Sequence, residues 1–235
     1  MARTIKEEHP IRYILAISIL LMAHNSLCHV PIISGHDSSV GRPFQLNRPY
    51  NQSIAVYTHF DAPNDMDVYE FALTPKDIER GAAEILIGTL VPACAPLADL
   101  LISWVLIGPK QVALGDTLET SHRNLLDLKG DHGTFYTTNS VQGEVWEEPY
   151  TSHYYFRQAR KKIKLTEVGN YRVYVWSPNE KQGDYVFEFG DDEIWPVKDI
   201  LYTLWVLPKL WLEGEIVTKD CVTSAMRSSP TPLER

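Results

Sequence analysis

The sequence lacks the short motifs by which many catalytic sites are recognised. It contains no Gly-x-Ser-x-Gly elbow, no phosphate-binding loop and no dinucleotide-binding fingerprint. The histidines at positions 36, 59, 122, 132 and 153 are scattered along the chain, without His-x-x-x-His spacing or a neighbouring glutamate of the kind that marks many metal sites. These absences mean that the sequence predicts no particular chemical reaction.

Cysteine and basic charge are also scarce. The three cysteines, Cys28, Cys94 and Cys221, are too few for a disulfide scaffold, and no Cys-x-x-Cys pair points to a zinc finger. In an exported protein Cys94 and Cys221 could form a disulfide, although their spacing alone does not establish it. The formal net charge of −8 argues against nucleic acid as a partner.

Hydrophobic runs are short, and the one at the amino terminus has the pattern of a targeting signal. The run from Ile14 to Ala23 is shorter than the roughly 20 residues that a membrane-spanning helix needs. Basic residues precede it, as in a signal peptide. We therefore predict that residues 1–28 are a signal peptide, cleaved after Ala23 or Cys28, or an N-terminal anchor. A buried helix of the mature fold is the remaining alternative.

β-Strand patterns fill most of the remaining chain. Alternating aromatic and β-branched residues at 171–176 and 185–189, separated by turn formers, predict two strands joined as an antiparallel hairpin. Leu165-x-x-x-Gly169-x-Tyr171 resembles a tyrosine corner of Greek-key sandwiches, in which the hydroxyl bonds to backbone upstream. Further strands are predicted at 53–60, 67–73, 83–91, 100–107 and, in a basic stretch, 157–165.

These patterns predict a mainly β fold, an antiparallel β-sandwich of jelly-roll or Greek-key type with a C-terminal helix. The sandwich is assigned to residues 51–193, after a linker at 29–50. Leucine and tryptophan at helical spacing predict an apolar helix at 194–213, ended or kinked at Pro208. This helix either packs on a sheet or contacts a membrane surface or partner. Residues 214–235 are predicted to be a disordered tail.

The order of several strand motifs resembles a known family. The motifs are Asp65-x-Asp67-Val68-Tyr69-x-Phe71-x-Leu73, Asp99-Leu100-Leu101-Ile102, Gly169-Asn170-Tyr171-Arg172-Val173-Tyr174-Val175 and Gly183-Asp184-Tyr185-Val186-Phe187. Together they resemble the bacterial pre-peptidase C-terminal domain and related jelly-roll modules over residues 53–190. The chain departs from that pattern by an insertion around 111–160 and by a C-terminal extension. The resemblance implies a non-catalytic accessory or binding domain of a secreted protein.

Aromatic residues cluster near the middle of the chain and suggest a contact face for a carbohydrate or protein ligand. Carboxylates accompany them, so Glu144 or Glu148 suggest a carbohydrate-active enzyme as an alternative. Glu147 and Glu148 are adjacent, however, and would face opposite sides of a strand. An aromatic strand that packs on the core would explain the same pattern. The predicted binding residues are Trp146, Tyr150, His153, Tyr154 and Tyr155.

Two acidic turns could hold a hard cation. Asp61, Asp65 and Asp67 crowd one turn, and residues 191–193 crowd another. Oxygen-rich turns of this kind can bind calcium, but neither matches an EF-hand loop. The sequence therefore predicts no cofactor and leaves calcium open.

Together these observations predict a non-enzymatic binding or interaction module that is secreted, periplasmic or on the cell surface. Its predicted partner is a protein or carbohydrate ligand, and peripheral membrane contact is open. The alternatives are a carbohydrate-active enzyme and a membrane-tethered structural subunit.

Overall fold

The computed structural model describes residues 29–34, 38–79, 81–109, 143–148, 153–212 and 221. These residues form two β-sheets and a C-terminal helix, with short 3-10 turns at Pro75–Ile78 and Ala95–Leu97. The elements are β1 (Val30–Ile33), β2 (Phe44–Gln45), β3 (Ile54–Phe60), β4 (Met66–Leu73), β5 (Ala83–Pro92), β6 (Ser103–Ile107), β7 (Val145–Glu148), β8 (His153–Leu165), β9 (Gly169–Trp176), β10 (Gly183–Phe189) and α1 (Val197–Leu212).

The two sheets pack face to face as a sandwich. One sheet has six strands in the order β1-β3-β10-β5-β8-β7, and the other has four in the order β2-β4-β9-β6. Neighbouring strands are antiparallel except at two edges, where β1 pairs with β3 and β2 with β4 in parallel. The predicted mainly β class, with two sheets and a C-terminal helix, is confirmed.

Aromatic rings from both sheets fill the space between them. The rings of Tyr69 on β4 and Phe187 on β10 stack with centroids 4.0 Å apart, and both residues are at most 1% exposed. Phe60 and Tyr185 stack in the same way at 4.4 Å. These residues occupy alternate positions of their strands, so the period-two pattern of the sequence does mark the buried faces.

The predicted hairpin between residues 171–176 and 185–189 is wrong in its pairing. Both strands exist, but β9 lies in the four-stranded sheet between β4 and β6, whereas β10 lies in the six-stranded sheet between β3 and β5. The connection 177–182 crosses from one layer to the other, a distance of about 10 Å. Each strand has an apolar face, and crossing lets both faces bury against each other across the core.

The tyrosine corner at the start of β9 is confirmed. The hydroxyl of Tyr171 donates a hydrogen bond to the carbonyl of Glu167 at 2.8 Å. Gly169 has φ +142°, a conformation that residues with a side chain rarely adopt. Burial raises the pKa of Tyr171, which keeps the hydroxyl protonated as a donor.

The segment 29–50, predicted as a linker, contributes β1 and β2 to the sheets. Val30 is fully buried, and the amide of Val30 donates to the carbonyl of Ser53 at 2.9 Å. Cys94 forms a disulfide with Cys221 across a sequence separation of 127 residues. This bond ties part of the predicted tail to the end of β5.

Helix α1 packs on the outer face of the six-stranded sheet. Val206 and Leu210 are at most 1% exposed and join a cluster with Tyr57, Leu90 and Val186. The predicted packing of this helix on a sheet is therefore observed. Pro208 lies inside α1, which does not end there but continues to Leu212. The helix thus adds a third layer on one side of the sandwich.

Candidate functional site

The aromatic residues predicted as a contact face occupy the hairpin of β7 and β8. Trp146 lies opposite Tyr155, and both side chains face the layer beneath α1. Tyr155 is 0% exposed. Trp146 is half-buried, and the guanidinium of Arg157 lies 4.2 Å from its ring centroid, a cation–π contact. These two rings therefore belong to the packing between sheet and helix.

The other predicted residues divide between the two faces of the hairpin. Tyr154 points away from Tyr155 along the strand and is 57% exposed. His153 is half-buried opposite Glu148, and burial lowers its pKa although the Glu148 carboxylate acts to raise it. Tyr150 lies outside the described residues. The described members of the set do not form one surface, and their binding role stays a prediction.

The acidic residues that suggested hydrolysis or calcium binding take part in local structure. Glu148 is 2% exposed whereas Glu147 is exposed, as their alternation along β7 requires. The Asp65 carboxylate accepts hydrogen bonds from the amides of Asp61 and Met66, each at 2.8 Å. Among the described residues, no group of three or more His, Cys, Asp or Glu side chains is arranged to hold a metal ion.

A cleft of about 450 Å³ opens between residues 44–48 and the first turns of α1. We call it the α1 cleft. Its walls include the half-buried rings of Phe44 and Tyr202, and the exposed Lys198 also lines it. A concave site with apolar walls and a few polar groups is the usual form of a small-ligand site, and this volume lies in the usual range.

An ion pair holds the two sides of the α1 cleft together. The Arg48 guanidinium lies 2.5 Å from the Asp199 carboxylate, and the Gln52 side-chain amide donates to the same oxygen at 2.7 Å. Burial alone would raise the pKa of Asp199, but the bonds from Arg48 and Gln52 hold it below its usual value. Asp199 is therefore an ionised structural group and is 1% exposed.

A second polar group lies inside the sandwich, at one end of the core. Asp67 accepts hydrogen bonds from the hydroxyls of Ser38 at 2.6 Å and Tyr185 at 2.5 Å. The hydroxyls of Tyr69 and Tyr185 are 3.1 Å apart. Burial raises the pKa of Asp67 to about 6, although the hydrogen bonds from Ser38 and Tyr185 act to lower it. We call these residues the Asp67 network.

A third polar group occupies the outer face of the six-stranded sheet, around Glu188, and we call it the Glu188 cluster. Glu188 is 0% exposed; its carboxylate lies 3.4 Å from His29 Nε2 and 3.4 Å from Arg160 Nε. The Ser53 hydroxyl bonds to the other His29 nitrogen at 2.5 Å. Burial would raise the pKa of Glu188, but His29 and the nearby arginines lower it overall.

Sequence reasoning missed both the α1 cleft and the Glu188 cluster. Alternation correctly placed Glu188 on the outer face of its strand, where a solvated carboxylate is usual. The side chains that contact it are His29, just before β1, and Arg160 on β8, and no spacing along the chain predicts these contacts. One signal was present: Gly88 lies opposite Glu188 on β5, and a glycine inside a strand often marks close packing.

Comparisons with known proteins include a weak structural likeness. No family model matches the chain, and no curated protein matches it. The structure is similar to the pre-peptidase C-terminal domain of a collagenase from Bacillus anthracis, with 15% sequence identity and a TM-score of 0.31. The match covers 66% of this chain and 99% of that domain. It agrees with the resemblance read from the sequence. Within the described residues, α1 included, no helix has the length and apolar character needed to cross a membrane.

Proposed function

We propose that the protein is a non-enzymatic, exported binding module that takes a carbohydrate ligand in the α1 cleft. The observation that supports this most directly is the composition of the cleft. Two aromatic side chains, Phe44 and Tyr202, stand beside the exposed cation Lys198, whereas Arg48 is paired with Asp199. Aromatic faces pack against the apolar faces of sugar rings, and cations bind carboxylate or sulfate groups on acidic sugars. We therefore favour a saccharide with an acidic group.

A binding role suits the cleft better than glycoside hydrolysis. Such hydrolysis needs two carboxyl groups on either side of the scissile bond, about 5–10 Å apart. Among the described residues that line the α1 cleft, Asp199 is the acid, and it is committed to Arg48 and Gln52. A buried, paired carboxylate with a lowered pKa is poorly suited to act as a general acid.

Export is proposed on two grounds. The amino terminus has the pattern of a signal peptide or anchor. The disulfide between Cys94 and Cys221 belongs to a class of bond that persists mainly in oxidising compartments. Both features favour a secreted, periplasmic or cell-surface protein, where a glycan-binding module would meet its ligand.

The proposal is tested by binding of the full chain to an array of neutral and acidic glycans. We expect acidic glycans to be retained, and we expect Tyr202→Ala and Lys198→Ala each to weaken their binding by about tenfold or more. Tyr154→Ala is the matched control, because Tyr154 is an exposed aromatic residue on the distant β7–β8 hairpin. Loss of binding with Tyr154→Ala but not Tyr202→Ala would move the site to the predicted aromatic hairpin. Retention of no glycan, or product formation from a bound glycan, would overturn the proposal.

A further inference from the structure

Helix α1 has a second surface on the side that faces away from the sandwich, and it adjoins the α1 cleft, because the rings of Trp205 and Tyr202 are 6.0 Å apart. Val197, Leu201 and Trp205 follow one another at four-residue spacing and are 72%, 63% and 60% exposed. Four-residue spacing places side chains on one face of a helix. The residues that bury α1 against the sheet, Val206 and Leu210, lie on the opposite side. We call the three exposed residues the α1 stripe.

We propose that the α1 stripe lies on the surface of a phospholipid bilayer, with α1 parallel to the membrane plane. Large apolar side chains exposed in a row are unusual on a soluble surface and mark a contact site. Tryptophan and leucine on one helix face, with lysine beside them, are typical of helices that lie in the interfacial layer. Trp205 fits that layer because an indole ring is amphipathic.

The charges beside the α1 stripe fit the same partner. Lys209 Nζ lies 4.0 Å from the centroid of the Trp205 ring, so a cation covers one side of that ring. Lysine stems pass along apolar surface while the ammonium group reaches lipid phosphates. Asp199, the acid on the same helix, is buried and bonded to Arg48, so it presents no negative charge to lipid.

The size of the α1 stripe argues against a second copy of the protein as its partner. The stripe has three exposed side chains, whereas a stable protein interface needs roughly 20–30 residues from each partner.

In the test, photoreactive benzoylphenylalanine replaces Leu201 in the full chain. The protein is then mixed with phosphatidylcholine vesicles that contain one quarter phosphatidylglycerol. The same group at position 154 is the matched control, since Tyr154 is 57% exposed and Leu201 is 63% exposed. After illumination we expect lipid adducts at position 201 in at least about tenfold excess over position 154, as for a helix face buried in the interface. Because the adducts are assigned to a position, anchoring of the protein by its amino terminus alone does not produce an excess of lipid adducts at position 201.

Three results would overturn the inference: equal labelling at the two positions, cross-links from position 201 to a second copy, or cross-links to residues 14–23 of the same chain. A second measurement keeps the native side chain at 201 and moves the probe to Val197. Trp205→Ser should then lower the lipid adduct several-fold, because the interfacial ring is lost. Unchanged labelling in that variant would also count against a bilayer. Although Trp205 adjoins Tyr202 of the α1 cleft, glycan retention and lipid cross-linking are separate measurements, so loss of glycan binding and loss of lipid contact can be told apart.

Discussion

Asp67 is a carboxyl group placed among hydroxyl groups at one end of the core. Water is excluded there, since Asp67 is 2% exposed and Tyr185 is 1% exposed. The hydroxyls of Ser38 and Tyr185 compensate part of the lost hydration, but the pKa still rises to about 6. In the folded protein, the carboxyl group of Asp67 is therefore mostly protonated around pH 5.

The raised pKa of Asp67 predicts a stability that falls as pH rises. The stabilising contribution is complete below the ordinary pKa of 3.8 and is lost as pH passes through about 6. We expect Asp67→Asn, whose amide cannot ionise, to gain about 3 kcal/mol relative to the wild type between pH 3.5 and pH 7. Urea unfolding across this range measures the difference. Parallel stability curves for the two proteins would contradict the assignment.

Asp199→Asn provides a control of opposite sign. Asp199 has a lowered pKa in spite of its burial, because Arg48 and Gln52 bond to the ionised form. Its contribution is complete above the ordinary pKa of 3.8 and is lost as pH falls through the lowered value. The variant should therefore lose most stability relative to the wild type near neutral pH and least at pH values below the lowered pKa of Asp199.

Tyr171 illustrates how a single hydroxyl can close a corner of the fold. Its bond to the Glu167 carbonyl is local and short, and Tyr171 also stacks on Phe71 with centroids 5.2 Å apart. Tyr171→Phe keeps the stacking and removes the bond, so we expect a loss of about 1 kcal/mol in the free energy of unfolding. Equilibrium denaturation checks this. A loss near zero would mean that water satisfies the carbonyl equally well.

At the scale of elements, strand positions could be predicted from the sequence, but strand partners could not. Alternation along β9 and β10 identified both strands, because each has one face against the core. Pairing depends on which sheet each strand joins, and the connection 177–182 is compatible either with a turn or with a crossing between layers. The parallel edge pairs of β1 and β2 were missed because these strands are short, so alternation provides few positions.

Gly88 reports on how closely β5 and β10 pack around the Glu188 cluster. A Cβ atom at this position would lie 2.6 Å from Glu188 Oε2 and 3.0 Å from Arg160 Cγ. We expect Gly88→Ala to displace the buried carboxylate from Arg160 and to cost about 1–3 kcal/mol of stability. Gly41→Ala is the matched control, because a Cβ there would have no atom within 4 Å. Equal unfolding midpoints for both variants would show that the cluster can relax at no cost.

The position of helix α1 explains why the candidate site was only partly predictable. Exposed aromatic residues were expected on β7 and β8, yet α1 covers the face that carries Tyr155 and leaves Tyr154 exposed. Which face of a hairpin a distant helix will cover depends on tertiary packing. The α1 cleft has the same origin, since Phe44 and Tyr202 are far apart in the sequence and meet only when α1 docks beside β1 and β2.

At the scale of the whole molecule, the disulfide closes a long loop, with a sequence separation of 127 residues. It joins Cys94, just after β5, to the 4% exposed Cys221, and the loop that it closes contains β6 to β10 and all of α1. A cross-link of this length removes conformational freedom from the unfolded chain. Its contribution should therefore be to the stability of the entire fold rather than to one strand pair.

We expect Cys94→Ser to lower the free energy of unfolding by about 2–4 kcal/mol, in the usual range for a native disulfide. Dithiothreitol should lower the stability of the wild type to that of the variant and leave the variant unchanged, with both measured by guanidinium unfolding. Comparing the reduced proteins separates loss of the cross-link from loss of packing, because the serine hydroxyl differs little in size from a thiol. If the oxidised wild type and the variant unfold at the same denaturant concentration, the bond does not constrain the unfolded chain. The sandwich would then be held by its core alone.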